Sequence, residues 1–216
     1  ADTIEIDGKT RPALNSNGQR IAQTEEGLRN FWRWFGDSKV VDKDGRPLVV
    51  YHGTPASFTE FEKTIGKNAS LFGTEDVERN AFFFSDRRQF ADEFAAKQGT
   101  SGSVLELYLS MKKPADLRDG FPDEVVSALE ERGFNPNYFH TRDMDNIWEV
   151  FDGQDGAEIV TALKDAGYDG AIILEAVDPN KPMRGGNRAT TYAVFDSTQI
   201  KSATGNRGTF DPADPK

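Results

Sequence analysis

PLVVYHGTPASF, Pro47 to Phe58, begins as a short apolar strand, Leu48 to Tyr51, and runs directly into His52, Gly53, Thr54 and Pro55. His52 is one of two histidines in 216 residues. A histidine can both donate and accept hydrogen bonds at a sugar hydroxyl. A glycine beside it lets a ligand approach backbone N–H and C=O groups with no Cβ in the way. Alone, the pair supports two readings: a structural histidine satisfied within the fold, or the end of a binding strand.

The elements on either side frame that strand. DKDGRP, 42–47, is a turn that leads into it. Upstream, TEEGLRNFWRWFGDS (24–38) predicts a helix: Thr24 can cap it, Glu25 and Glu26 suit its positive end, and Gly36 can stop it. Leu28, Phe31, Trp32 and Phe35 fall on one face of that helix, which docks them on the core. Residues 1–23 are polar, carry the turn signal NSNG at 15–18, and read as a loosely packed arm.

Downstream, a polar loop (63–80) precedes NAFFFSD (80–86), a second apolar strand. Its Ser85 and Asp86 can cap a helix over about 87–98. Phe90, Ala91, Phe94 and Ala95 share one face of that helix. SVLELYLSM (103–111) alternates, with Val104 out and Leu105, Leu107 and Leu109 in, as in a half-buried strand. The region from about 115 to 153 reads as helix and loop, and a helical insert spans about 115–166. DEVVSALEERGF and DGAEIVTALKDAG are amphipathic helices stopped by Gly133 and Gly167. Then come strands at 168–174 (YDGAIIL) and 189–196 (ATTYAVFD), and a last short strand in TQIKSA (198–203). No internal repeat and no linker interrupts this order, which predicts one α+β domain over 24–205, with 206–216 as a linker-like tail.

Composition bounds the function classes. The net charge is −10, from 36 acids and 26 bases, opposite in sign to what a scanning nucleic-acid binder needs. There is no cysteine, which excludes disulfides, thiolate metal sites and a cysteine nucleophile. With two histidines, a zinc site would need carboxylates at unusual spacing. No apolar run approaches the ~20 residues of a membrane span, and no signal peptide is visible. A start at Ala1 without methionine is expected either of a chain whose start was removed or of a segment of something longer, and the Gly/Pro/Asp-rich end GNRGTFDPADPK reads as a linker cut mid-way. Sixteen Phe, five Tyr and three Trp supply enough rings for an aromatic core or an aromatic ligand pocket.

Phe83 lies on the second strand and Phe94 on the following helix, eleven residues later by the numbering. A strand–turn–helix of that length can bring both rings over one slot. Such a slot would sandwich a planar ring and favour a cationic one, as in the nicotinamide of NAD. The alternative is that both rings belong to the core.

Taken in order, YHGT, AFFFSD with its downstream helix, and TYAVFDSTQI resemble the diphtheria-toxin and poly(ADP-ribose) polymerase branch of ADP-ribosyltransferases. The longer phrases FGDSKVVDKDGRPLVVYHGT, GYDGAIIL and VFDSTQIKSATGNRGTFDPADP resemble the ADP-ribosyltransferase-like modules embedded in large phage and mobile-element polyvalent proteins. The resemblance covers about residues 24–215. It implies two small antiparallel-type sheets packed with surrounding helices, and an NAD cleft between them. It also implies ADP-ribosyl transfer from NAD without a metal, and a macromolecular acceptor, protein or nucleic acid. In residues, it implies that His52 holds a ribose hydroxyl and that the Gly53 backbone clasps the nicotinamide carboxamide. Phe83 and Phe94 take the places of the family's stacking rings, Ala91 stands where a serine is common, and Ser85 and Thr54 complete the cofactor-binding set. The setting it implies is the cytoplasm of a target or host cell, reached by delivery from outside.

One position departs from the family pattern. Where a glutamate is expected before the aliphatic strand, this chain has Thr191. In the family that carboxylate bonds the nicotinamide ribose, and the reaction passes through an oxocarbenium-like sugar that a carboxylate stabilises. A threonine can hold a hydroxyl but supplies no charge. Three readings stand open: another acid, Glu175 or Asp169, serves instead; Gln199 orients the substrate; or the chain binds NAD without transferring anything. Elsewhere, His140 reads as a loop residue, and MRGGNR (183–188) as either a phosphate clamp or a plain flexible loop.

Overall fold

The computed structural model describes residues 2–54, 61, 65–70, 73–97, 102–139, 150–178, 181, 185–206 and 208–211. In chain order the elements are β1 (Thr3–Ile6), β2 (Lys9–Pro12), α1 (Glu25–Phe35), β3 (Val50–Thr54), β4 (Ile65–Ser70), β5 (Gly73–Glu78), β6 (Phe82–Ser85), α2 (Arg88–Lys97), β7 (Ser103–Leu109), β8 (Pro114–Asp116), α3 (Asp123–Glu131), α4 (Gly153–Asp165), β9 (Gly170–Ala176), β10 (Arg188–Val194) and β11 (Ile200–Ser202). This is the mixed α+β content that the sequence predicts. The sheet arrangement differs from the expected two small antiparallel-type sheets. Hydrogen bonding orders seven strands as β11-β7-β3-β6-β10-β9-β8, because β6 has a neighbour on each side, and the β8–β9 pair is parallel. β1–β2 and β4–β5 are separate two-stranded ribbons.

The chain divides into two compact units. Unit 1 comprises 1–60, 84–112 and 197–216; unit 2 comprises 61–83 and 113–196. The divisions fall at 60/61, 83/84, 112/113 and 196/197, so no single linker marks them in the sequence.

Unit 1 is organised by α1. The Thr24 hydroxyl accepts the Gly27 N–H at 3.0 Å, a cap worth ~1 kcal/mol. Gly36, at φ 56°, ends the helix and returns its N–H to the Trp32 carbonyl at 2.8 Å. Leu28, Phe31, Trp32 and Phe35 are buried as their spacing predicts. Trp34 is buried too, because its indole N–H donates to the Thr198 carbonyl at 3.0 Å. Phe31 sits among Phe35, Tyr108 and Phe210 with ring centroids 5.0, 5.1 and 5.1 Å away.

Both ends of the chain add to this cluster. The N-terminal stretch is not loosely packed: it carries the β1–β2 ribbon, and Ile6, Ala13 and Ile21 are buried with α1. The Trp32 indole donates to the Pro12 carbonyl at 2.9 Å, and the Asn15 amide to the Tyr108 hydroxyl at 2.9 Å. Phe210, in the stretch read as a tail, is buried against Trp34. The polar composition hides this packing because the buried apolar residues there, Ile6, Ala13 and Ile21, are few and far apart in the sequence.

β7 departs from simple alternation. Leu107 and Leu109 are buried, but so is Tyr108 between them. β7 lies between β3 and β11, and the α1 cluster covers the face that carries Tyr108.

In unit 2, α3 and α4 end near Gly133 (φ 93°) and Gly167 (φ 85°), the predicted stops. Leu129, Phe139, Phe151, Leu163, Ile173 and Phe195 are among its core residues. The first turn of α4 lies against the Phe151 backbone. A Cβ at Gly156 would stand 2.2 Å from the Phe151 carbonyl carbon, so only glycine fits. Two strand features were not foreseen. β4 and β5 form an antiparallel ribbon within the loop read as 63–80, and their polar sequences lack an apolar face to mark them. β8 is a three-residue strand at the start of the insert, held by its parallel pairing with β9.

Candidate functional site

In unit 1 the candidate residues gather on β3 and its neighbours. Val50 to Thr54 pairs antiparallel with β7, so His52 stands opposite Leu105 and Gly53 opposite Val104. His52 is half-buried, and its ring lies 5.3 Å from that of Phe84, tilted by 44°. The β3–β6 register explains the contact. Tyr51 pairs with Ser85, so the next step of the antiparallel ladder sets His52 against Phe84.

Thr54 is fully buried, and its hydroxyl is engaged by the Ser103 carbonyl at 3.3 Å and the Ser103 hydroxyl at 3.2 Å. Ser85 is buried and accepts the Arg87 N–H at 3.0 Å, closing the turn from β6 into α2. Gln199 ends a short 3-10 turn before β11. Its side-chain amide donates to the Ser110 carbonyl at 3.1 Å, and its own carbonyl accepts the Ser110 N–H at 2.9 Å. Ala91 is buried on α2; the Phe94 side chain on that helix lies outside the described residues.

Unit 2 holds the other candidates. Phe83 is half-buried and packs against its core, 6.0 Å from Phe151. Successive side chains of a strand point to opposite faces, so Phe83 and Phe84 diverge along β6. The ring placed beside His52 is therefore Phe84, which the sequence reading had passed over. The missing information was strand register, which no periodicity within FFF encodes.

Thr191 and Glu175 meet directly. Antiparallel pairing of β10 with β9 sets Thr191 opposite Ile173 and Ala189 opposite Glu175. The two polar side chains are thus diagonal neighbours on one face, and the Thr191 hydroxyl donates to Glu175 Oε2. Both are buried, Thr191 at 1% and Glu175 at 6% exposure. Burial pushes the Glu175 carboxyl up to about 7, although the donated hydroxyl works in the other direction. Asp169, the other acid considered, accepts the Lys113 N–H at 3.0 Å and anchors the chain before β9.

The loop before β10 has an organiser that the sequence reading missed. The Asn187 side chain accepts the Asp178 N–H at 2.7 Å and donates to the Asp178 and Lys181 carbonyls at 3.1 and 3.0 Å. An asparagine after two glycines was the available signal. Arg184 and His140 lie outside the described residues. Among the described residues no group of three or more His, Cys, Asp or Glu could hold a metal ion, and no helix is long and apolar enough to cross a membrane.

No curated protein and no solved structure matches the sequence. A protein family does: residues 42–210 match the family described as ADP-ribosyltransferase in polyvalent proteins. The match encloses β3 with His52, β6 with Phe83, and the β9–β10 pair with Glu175 and Thr191. The chain therefore belongs to the ADP-ribosyltransferases of polyvalent proteins.

Proposed function

We propose that the chain transfers a single ADP-ribosyl group from NAD to a macromolecular acceptor and releases nicotinamide. The observation that carries this reading is the family match over residues 42–210, which takes in every candidate strand. In this reading His52 holds a ribose hydroxyl, and the Gly53 backbone holds the nicotinamide carboxamide. Phe94 flanks the nicotinamide ring, with Phe84 rather than Phe83 as the ring beside His52. No metal takes part. A net charge of −10 weighs against bulk nucleic acid as the acceptor and leaves a protein or a single nucleic-acid site. The domain is read as part of a larger polypeptide, an effector acting in the cytoplasm of a target or host cell after delivery from outside.

The test is incubation with NAD labelled on the adenylate side and a cell lysate. Label on a macromolecule that is lost with His52→Ala supports the transferase. Absence of both label and released nicotinamide at high protein concentration refutes it. Thr191 at the position of the family's glutamate favours a second reading, a module that binds NAD or a partner without catalysis. Release of free ADP-ribose, with no labelled macromolecule, would instead mark an NAD glycohydrolase.

A further inference from the structure

Among the described residues Glu175 is the one acid buried as a whole residue, though the carboxylate oxygens of half-buried Asp152 are also shielded from solvent. No ion pair among those residues involves it, and the hydrogen bond that reaches it comes from Thr191. Such a group is costly to keep. Burying an ion without a counter-charge carries a penalty of several kcal/mol, and leucine or glutamine would fill the same volume more cheaply. Uncompensated acids in a sheet interior are therefore candidates for chemistry.

The local geometry looks built for holding this one. Ala189, directly opposite Glu175, has the smallest side chain that keeps the strand regular. It leaves the carboxylate room to lean across the ladder to Thr191. Thr191 in turn is fixed by β branching and by burial on β10.

The reaction of this family calls for a group of this kind. When NAD gives up its ADP-ribose, the bond between ribose C1′ and the nicotinamide nitrogen breaks. The bonding pair leaves with nicotinamide, whose ring nitrogen loses its positive charge. The charge passes to the ribosyl oxocarbenium. The acceptor's lone pair then forms the new bond at C1′, and the acceptor's proton goes to a carboxylate and on to solvent. A preorganised anion beside the sugar stabilises the cationic stage.

We propose that Glu175 is the catalytic carboxylate of this chain, supplied from β9 in place of an acid at position 191, and that Thr191 is the residue that positions it. This rests on the reading of the chain as an NAD-dependent ADP-ribosyltransferase. The threonine then accounts for itself: it stands where an acid is expected because the acid is on the neighbouring strand and needs a hydroxyl to aim it.

The experiment measures nicotinamide release from NAD by the full chain, with circular dichroism confirming that each variant is folded. Glu175→Gln lowers kcat about 10²–10³-fold with little change in KM. Thr191→Val lowers kcat about tenfold or more, the scale of a lost hydrogen bond to a charged group. Thr191→Ser, which keeps the hydroxyl, restores it. An active wild type with Glu175→Gln within about threefold of it overturns this assignment and leaves ADP-ribosyl transfer standing. No release by the wild type overturns the transferase reading, and the assignment with it. If Glu175→Gln does not fold, the threonine pair decides: equal kcat for the wild type, Thr191→Val and Thr191→Ser overturns the assignment.

Discussion

Two residues with charged side chains are buried as whole residues among the described ones, one in each unit, and they are treated differently. In unit 1, Lys201 on β11 is 2% exposed, and its ammonium donates to the Asp211 carbonyl. In unit 2, Glu175 on β9 receives a side-chain hydroxyl. The contrast extends to the neighbours. Unit 1 ties three of its buried hydroxyls to main-chain carbonyls that join separate elements: Ser38 to Leu109 at 2.7 Å, Ser110 to Trp34 at 2.9 Å, Thr54 to Ser103 at 3.3 Å. Those bonds hold the sheet to α1 and to its neighbouring strands, and their role is architectural. The Thr191–Glu175 bond joins two side chains on strands already paired along their whole length. It adds little to the architecture and leaves an acid in a poor solvent.

The largest effect that this contrast predicts is a pH dependence of stability. The Glu175 carboxyl titrates at about 7 in the folded chain, against an ordinary value of 4.5. Between those values the folded state holds a proton that the unfolded state has lost, so stability falls as pH rises from 4.5 through 7 and then levels off. The full loss is on the order of 3 kcal/mol. Glu175→Gln removes it, and the variant gains on the wild type as pH rises through that window. Urea denaturation of both proteins across the window checks this. Parallel curves would mean that Glu175 is solvated after all, and the contrast with unit 1 would collapse.

The second prediction tests the unit 1 side. Tyr108→Phe removes the hydroxyl that the Asn15 amide reaches at 2.9 Å and leaves a buried donor short of its partner. The expected cost is about 1–3 kcal/mol, read as a lower urea midpoint with unchanged slope. Asn15 belongs to the N-terminal stretch, so the result also measures how firmly that stretch is part of unit 1. No loss of stability would return residues 1–23 to the status of a loose arm.

Much of this was legible in the sequence, and the failures share a cause. Local signals were reliable. Thr24, Gly36, Gly133 and Gly167 bound their helices as their chemistry dictates, and the face of α1 followed its period. What failed was information that lies between segments. The burial of Tyr108 follows from α1 and the N-terminal ribbon covering a face that β7 alone would expose. The ring beside His52 is Phe84 because of a register set by Tyr51 and Ser85. β4 and β5 pair without an apolar pattern to announce them. For the site, sequence resemblance pointed to position 191 as the anomaly and to Glu175 among three substitutes. The register of β9 with β10 then brings that acid, unlike Asp169, into direct contact with Thr191.

The smallest effect separates the two buried threonines. Thr54→Val removes a hydroxyl whose partners are the neutral Ser103 carbonyl and hydroxyl. Its cost, about 0.5–1.5 kcal/mol, is the same at any pH where the chain is folded. Thr191→Val removes a hydroxyl from a group whose charge changes near pH 7. At about pH 5.5 the carboxyl is protonated and the lost bond is between neutral groups, so the two valine variants are weakened alike. At about pH 8.5 the lost bond is to an anion, worth about 1.5–3 kcal/mol, and Thr191→Val falls behind Thr54→Val by about 1 kcal/mol. Because both variants make the same chemical change at a buried strand position, general effects of a methyl for a hydroxyl cancel in the comparison. Urea midpoints at the two pH values supply it. A gap that opens only at the higher pH shows that Thr191 serves the ionised Glu175, whereas a gap of equal size at both would make Thr191 a packing residue like Thr54.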